Sequence, residues 1–179
     1  PRELVLRGTA AGLRLAQRPV RELQTLRGPG QRLEGATLAR ANAWLAGSLP
    51  AGELLELRLD WDPAGPAGLD LVTGPGEVTT LAWTPADRHW RLDRTRSGRT
   101  DFHPRFSASF VAPSAGGGRG VHLLLDTSSA EFFLDDGETV FTALILPQPG
   151  RRRVVLKGGE GTAVKSLEVW PLQSAWRGR

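Results

Sequence analysis

Four pairs of acidic residues lie close enough along this 179-residue sequence to be considered as catalytic carboxylates. Two carboxylates that flank a scissile bond can supply a general acid and a base or nucleophile for hydrolysis. The pairs are Asp60 and Asp62, Asp93 and Asp101, Asp126 and Glu131, and Asp135 and Asp136. Asp60 and Asp62 project to one side of a strand, but Pro63 follows at once, and acidic residues at a strand end usually fix a turn. We therefore predict that this chain contributes no catalytic residue.

Metal binding and serine chemistry are also poorly supported. His89, His103 and His122 lie on separate segments, no cysteine is present, and no closely spaced histidine pair exists. A metal site needs several such ligands on rigid elements, so we predict none, and no cofactor. The serines at 128–129 lie between two predicted strands, where hydroxyl groups bond the backbone of a turn, and no Gly-x-Ser-x-Gly elbow occurs.

Six tryptophans and no tyrosine make indole rings a further candidate for chemistry, because flat rings can pack against sugar faces. Four of them fall on the apolar phase of predicted strands, which favours packing in the core. These four are Trp61, Trp83, Trp90 and Trp170. Trp44 and Trp176 lie in less regular segments, and we predict that they pack at a domain interface.

The elements that position these residues are mostly short strands. Residues 53–61 alternate apolar and polar side chains, with Leu55, Leu57, Leu59 and Trp61 on one face, as expected for a strand with one wet side. About a dozen such segments follow one another at a spacing of roughly 8–12 residues, which is typical of an all-β protein. We predict a two-sheet antiparallel β-sandwich of the jelly-roll or concanavalin-like type, with a short helical turn over residues 20–26.

The domain organisation follows from the same pattern. Residues 1–30 are predicted to form a connector with a first hairpin, built from residues 3–7 and 12–17, that packs on the sandwich. Residues 31–179 form the sandwich itself, so that the chain is a single domain overall. Residues 33–44 are ambiguous and are predicted as loop or short helix.

Composition narrows the possible partners. The net charge is +4 and the pI about 10.8, but the arginines are spread along the chain among acidic residues, so we predict no nucleic-acid partner. No run of about 18 apolar residues occurs, so no membrane span is predicted. Methionine is absent, which indicates a processed chain or a domain excised from a longer protein.

Several segments, taken in their order and spacing, resemble the C-terminal β-sandwich of glycoside hydrolase family 32, the family of levanases, inulinases and invertases. They include Asp-Arg-Thr at residues 93–95, Asp-Phe-His at residues 101–103 and the strand pair at residues 126–133. The further matching segments are residues 1–4, 13–15, 17–23, 167–172 and 174–176.

The resemblance implies that the active site lies elsewhere, in an N-terminal five-bladed propeller of the same parent enzyme, whose three catalytic motifs are absent here. The chain is then a non-catalytic module of a fructan- or sucrose-hydrolysing β-fructosidase, and an apolar, tryptophan-bearing face would stabilise the propeller. An autonomous fructan-binding module is the alternative, and a lectin-like adhesion domain is a third class. An extracellular enzyme is expected, with a cytoplasmic one left open.

The resemblance also suggests which polar residues could contact a carbohydrate. These are Asp93, Arg94, Asp126, Ser128 and Glu131. The competing interpretation, which we favour, is that they fix turns and strand pairing.

Overall fold

The computed structural model describes residues 1–9, 12–114 and 116–175 and consists mainly of β-strands. The strands are β1 (Arg2–Thr9), β2 (Gly12–Pro19), β3 (Gln31–Thr37), β4 (Leu55–Asp62), β5 (Ala67–Gly74), β6 (Glu77–Thr84), β7 (His89–Arg96), β8 (Ser109–Pro113), β9 (Gly120–Leu125), β10 (Ser129–Leu134), β11 (Thr139–Leu144), β12 (Arg153–Gly158) and β13 (Ala163–Pro171). The helices are α1 (Leu38–Ser48) and the 3-10 helices Arg21–Leu26 and Asp135–Gly137.

Two antiparallel sheets form the body of the molecule. A six-stranded sheet has the order β11-β10-β9-β4-β13-β3, and a five-stranded sheet has the order β12-β5-β6-β7-β8. Strands β1 and β2 form a separate two-stranded sheet. The predicted two-sheet sandwich and the short helical turn near the N-terminus are confirmed.

Alternation along the strands explains how the core forms. In β4, Leu55, Leu57, Leu59 and Trp61 are buried against the five-stranded sheet, as the sequence predicts. The alternate residues of β4 therefore lie on the outer face of the six-stranded sheet. Apolar residues from both sheets join in a single core cluster, which is the arrangement expected for a sandwich.

The ambiguous region at residues 33–44 contains two elements, where we predicted loop or short helix. Strand β3 ends at Thr37, whose side chain accepts a hydrogen bond from the Arg40 amide and caps α1. The strand was missed because its buried residues, Leu33 and Ala36, are three apart, and Gly35 has a positive φ of 56° that interrupts the alternation.

The tryptophan predictions are partly confirmed. Trp61, Trp83 and Trp90 are buried in the core. The prediction for Trp170 is wrong, because its neighbour Val169 faces the core and places Trp170 on the outer face, half-buried. Trp44 packs half-buried against the core, and Trp176 lies outside the described residues.

Helix α1 protects one edge of the five-stranded sheet. The Asn42 side chain donates from Nδ2 to the Leu156 carbonyl oxygen at 2.9 Å and accepts from the Leu156 amide at 2.8 Å. The amide group of Asn42 thus takes the place of a neighbouring strand at β12, whose backbone would otherwise present free donors and acceptors.

Candidate functional site

The N-terminal segment lies across the outer face of the six-stranded sheet. Arg2 donates from Nη2 to Glu131 Oε2 at 2.8 Å, and its guanidinium lies 5.3 Å from the centre of the Phe133 ring. Further along the hairpin, Arg7 pairs with Asp136 at 3.4 Å. These contacts attach the β1–β2 hairpin to the sandwich.

The face of the hairpin opposite Arg7 carries four exposed leucines. Paired residues of antiparallel strands share a face, and the pairs Leu6–Leu15 and Gly8–Leu13 place Leu4, Leu6, Leu13 and Leu15 on the same one. Their exposed fractions are 62%, 69%, 73% and 51%. We call this surface the leucine face.

A groove of about 1050 Å³ separates the hairpin from the outer face of the six-stranded sheet. Val5 and Arg7 line it on the hairpin side, and Arg58, Asp60 and His122 line it on the sheet side. Its walls come from the hairpin and from the sandwich, which follow one another in the chain through residues 20–30.

A buried carboxylate holds these connecting residues against the sheet. Glu56 on β4 accepts from Arg27 Nε at 2.6 Å and Nη2 at 2.5 Å, and it meets His122 Nε2 at 2.7 Å. The Arg27 guanidinium also lies 4.2 Å from the Trp170 ring centre. Arg58 Nε lies 3.3 Å from the same carboxylate. We call Arg27, Glu56, Arg58 and His122 the Glu56 cluster.

The Glu56 cluster determines the protonation of its members. Burial raises the pKa of the Glu56 carboxyl, but hydrogen bonds and charges from His122 and Arg27 outweigh this effect and lower the pKa to about 2. Burial also lowers the pKa of His122, against the opposing influence of Glu56. At neutral pH a neutral His122 therefore donates its Nε2 hydrogen to an ionised Glu56, which can only accept.

The backbone strengthens the same joint. The Gly28 amide donates to the Pro171 carbonyl oxygen at 2.8 Å, and the Gln173 amide donates to the Leu26 carbonyl oxygen at 2.8 Å. The segment after the 3-10 helix Arg21–Leu26 is therefore bound to the end of β13 by main-chain and side-chain bonds together. Such a joint fixes the hairpin relative to the sandwich.

A second buried carboxylate connects the two sheets at one end of the sandwich. Asp135 accepts hydrogen bonds from Trp90 Nε1 at 2.8 Å, from the Arg119 amide at 3.1 Å and from the Ser114 hydroxyl. Its backbone φ is +51°, and that of the next residue, Asp136, is +60°. The turn at residues 135–137 thus also supplies a structural acceptor.

Three phenylalanines and an arginine form an exposed cluster beside edge strand β8. The Arg94 guanidinium lies 4.2 Å from the Phe106 ring centre and 5.2 Å from that of Phe110, and the Phe102 and Phe106 rings are 4.5 Å apart. Phe102 is 47% exposed and Phe110 is 41% exposed. We call these four residues the phenylalanine patch.

Two of the predicted carbohydrate-contact residues, Arg94 and Ser128, have their partners next to one another in the chain. Arg94 donates from Nη1 to the Leu144 carbonyl oxygen at 3.0 Å, and the Ser128 carbonyl oxygen accepts from the Ile145 amide at 2.8 Å. Both residues therefore border the end of β11.

The other three predicted residues have local or hairpin partners. Asp93 accepts from the Thr95 amide at 2.8 Å, and Asp126 accepts from the Thr127 amide at 2.7 Å, as in turns. Glu131 pairs with Arg2 beneath the hairpin. The five residues thus do not form one constellation.

Comparison with known proteins shows the family of this chain. Residues 22–171 match the family model described as glycosyl hydrolases family 32 C terminal. The chain belongs to this family. Two levanases align with nearly all of this family 32 C-terminal domain: one from Bacillus sp. (strain L7) is 35% identical over 99% of the chain, and one from Bacillus subtilis (strain 168) is 32% identical over 98%. The chain spans 20% and 27% of their lengths.

Solved structures share the fold of this family 32 C-terminal domain. The exo-inulinase from Aspergillus awamori superposes with a TM-score of 0.75 at 20% identity, over 98% of this chain and 36% of that one. The sucrose-6-phosphate hydrolase from Lactobacillus gasseri superposes with a TM-score of 0.72 at 19% identity, over 96% of this chain and 33% of that one.

Some of the candidate carboxylates of the family 32 domain are bound in structural contacts. Asp62 pairs with Arg119 at 3.4 Å and with Lys165 at 3.3 Å, and Asp135 is buried among its three donors. Within residues 1–9, 12–114 and 116–175, no three His, Asp or Glu side chains cluster as metal ligands would. None of the helices in that part of the chain has the length and apolarity needed to cross a membrane.

Sequence reasoning missed the leucine face and the Glu56 cluster. The leucines were visible as alternating residues, but alternation indicates burial and gives no sign of an exposed face. Arg27 and Glu56 are 29 positions apart, and only the path of the connector brings them together. An acidic residue within the apolar start of β4 was the available signal, because a buried carboxylate requires a partner.

Proposed function

We propose that this chain is a non-catalytic module of a fructan- or sucrose-hydrolysing β-fructosidase, and that it docks on the catalytic domain and stabilises it. The leucine face is the observation that carries this proposal. Burying an exposed leucine contributes about 1.5–3 kcal/mol, so four leucines on one face offer a large stabilisation to whatever covers them.

The comparisons support the catalytic domain as the structure that covers the leucine face. The C-terminal family model begins at residue 22, whereas the levanase alignments extend over 98–99% of the chain and so take in most of the hairpin. The hairpin is thus shared with whole levanases but precedes the matched C-terminal region. We propose that residues 1–30 form the interdomain connector and that the partner is a five-bladed propeller.

The Glu56 cluster supplies the rigidity that such docking needs. Arg27 is bound by a buried carboxylate on one side and by the Trp170 ring on the other. A connector held in this way orients the hairpin before it meets the catalytic domain. The ordering entropy is then already lost in the folded module, and less of the docking free energy is consumed.

The test uses the whole parent enzyme. Replacing Leu6 and Leu15 together by Ser removes two paired side chains of the leucine face without touching the groove or the Glu56 cluster. We expect the catalytic activity to be lost at a temperature several degrees lower, measured as residual hydrolysis of sucrose and inulin after heating. Leu144→Ser is the matched control, because Leu144 is 58% exposed but lies on β11 of the sandwich.

Two outcomes would contradict the proposal. Equal thermal inactivation of the wild-type parent and the Leu6→Ser, Leu15→Ser variant would show that the leucine face is not the docking surface. Hydrolysis of sucrose, inulin or levan by the purified 179-residue chain would show that the module is itself catalytic.

We also propose that the parent enzyme acts outside the cell. The extracellular exo-inulinase from Aspergillus awamori aligns with 56% of this chain at 30% identity. Fractionating cells that express the parent and measuring fructan hydrolysis in the medium tests this. Activity confined to the cytoplasmic fraction would contradict it.

A further inference from the structure

We propose that the phenylalanine patch is a fructan-binding platform that holds a polymeric substrate outside the catalytic domain. This inference rests on the proposed function, since the ligand is the polymer that the parent enzyme cleaves. It adds a binding site formed by Arg94, Phe102, Phe106 and Phe110, of which Arg94 was a predicted carbohydrate-contact residue.

The loop that carries the exposed patch is held by hydrogen bonds at several points. Its loop is bound to the neighbouring sheet by the Arg99 amide, which donates to the Leu146 carbonyl oxygen at 2.8 Å. Within the loop, the Phe106 amide donates to the His103 carbonyl oxygen at 2.9 Å, and the Ser107 hydroxyl reaches the Thr95 carbonyl oxygen at 3.3 Å. Aromatic rings that are fixed in the free protein bind a ligand with little loss of entropy.

The chemistry of the patch fits a sugar better than a protein core. The electron-rich faces of the rings attract the C–H groups of a furanose ring. Charged groups stand among the rings: the Arg99 guanidinium lies 5.8 Å from the Phe102 ring centre, and Arg99 pairs loosely with Asp101 at 3.8 Å. These groups can bond sugar hydroxyls. The leucine face, by contrast, presents leucines side by side, as a protein interface core does.

The position of the patch fits a polymer that extends from a docked catalytic domain. Arg2, at the start of the hairpin, contacts Thr142 on β11. Two residues further along β11, the Leu144 carbonyl oxygen accepts from Arg94. The hairpin and the patch therefore adjoin the same edge strand. A fructan chain whose end is bound in the catalytic domain can reach the patch along this side of the molecule.

The experiment compares a polymeric and a short substrate in the whole parent enzyme. We expect Phe102→Ala and Phe110→Ala each to raise the KM for inulin or levan by about three- to tenfold, the range expected for losing one ring contact. The KM for sucrose and both kcat values should stay unchanged, because sucrose is too short to reach the patch. Val155→Ala, at a 38% exposed site on β12, is the control, and Phe102→Tyr should restore polymer binding.

The outcomes separate this inference from the proposed function. An unchanged KM for the polymer in both alanine variants would overturn the platform while leaving the β-fructosidase assignment intact. Equal loss of sucrose and polymer hydrolysis would overturn it as well, by showing that the patch supports the catalytic domain and does not bind sugar. A wild-type parent that cleaves neither substrate would instead refute the proposed function.

Discussion

The indole nitrogen of Trp90 donates a hydrogen bond of 2.8 Å to Asp135 Oδ2 across 45 residues of sequence, and it thereby joins the five-stranded sheet to the turn after β10. The Arg119 amide and the Ser114 hydroxyl also donate to this carboxylate. We expect Asp135→Ala to lower the free energy of unfolding by about 3 kcal/mol or more, because three buried donors lose their acceptor. Urea denaturation of the chain measures this change.

Asp136→Ala is the matched control for that substitution. Asp136 also has a positive φ, but its side chain is 72% exposed and pairs only with Arg7 in the described structure. Because an exposed ion pair contributes little, we expect a loss below about 1 kcal/mol. Equal effects at the two positions would show that backbone strain, and not the buried hydrogen bonds, sets the cost.

Because of the Glu56 cluster, we expect the free energy of unfolding to fall as the pH is lowered. The pKa of Glu56 is about 2 in the folded chain and near 4.5 when unfolded, so its contribution is complete above pH 4.5 and is lost as the pH falls toward 2. The pKa of His122 is also lowered, so protonation of the unfolded chain below about pH 6.5 acts in the same direction. Thermal unfolding between pH 7 and pH 3 should therefore show a progressive loss of stability.

Glu56→Gln separates this cluster from the general effect of acid. Glutamine keeps the shape of the side chain but does not titrate, so the variant should be less stable at pH 7 and should lose less on acidification. Glu34→Gln serves as the control, because Glu34 is 65% exposed and pairs at the surface with Arg32. A wild-type pH profile in Glu56→Gln would contradict the role of the carboxylate.

Asn42 is predicted to protect the β12 edge. Asn42→Ala leaves the amide and carbonyl groups of Leu156 without their partners, so we expect a loss of about 1–3 kcal/mol in the free energy of unfolding and more self-association. Denaturation and light scattering measure the two effects. Arg40→Ala, an exposed change on the same helix, should alter neither, and an unaltered Asn42→Ala variant would refute the protective role.

Much of the fold could be predicted because one face of each strand is wet. The alternation from Leu55 to Trp61 located β4 and its buried side correctly. Strand β3 was not predicted, because Leu33 and Ala36 do not alternate. Helix α1 was left as one of two alternatives, because Ala41 and Leu45 are a short apolar pair that fits several structures. Local periodicity thus succeeds only where burial repeats with one period.

The candidate surfaces were harder to predict for a different reason. The Arg27–Glu56 pair and the Trp90–Asp135 bond each join distant segments, and their meeting depends on sheet order and register. Trp170 was assigned to the wrong face because a single large aromatic residue suggested burial, whereas Leu167 and Val169 set the inward phase of β13. Sequence alone gives the candidates, and topology decides which of them become neighbours.

The leucine face also bears on how the sandwich is prepared for measurement. Four exposed leucines on one face of the hairpin favour self-association at the concentrations that spectroscopy and crystallisation require. A version that begins at Val20 removes these leucines and retains Arg27 and its buried carboxylate partner. We expect that shorter protein to stay monomeric in concentrated solution, which makes it the better sample for nuclear magnetic resonance.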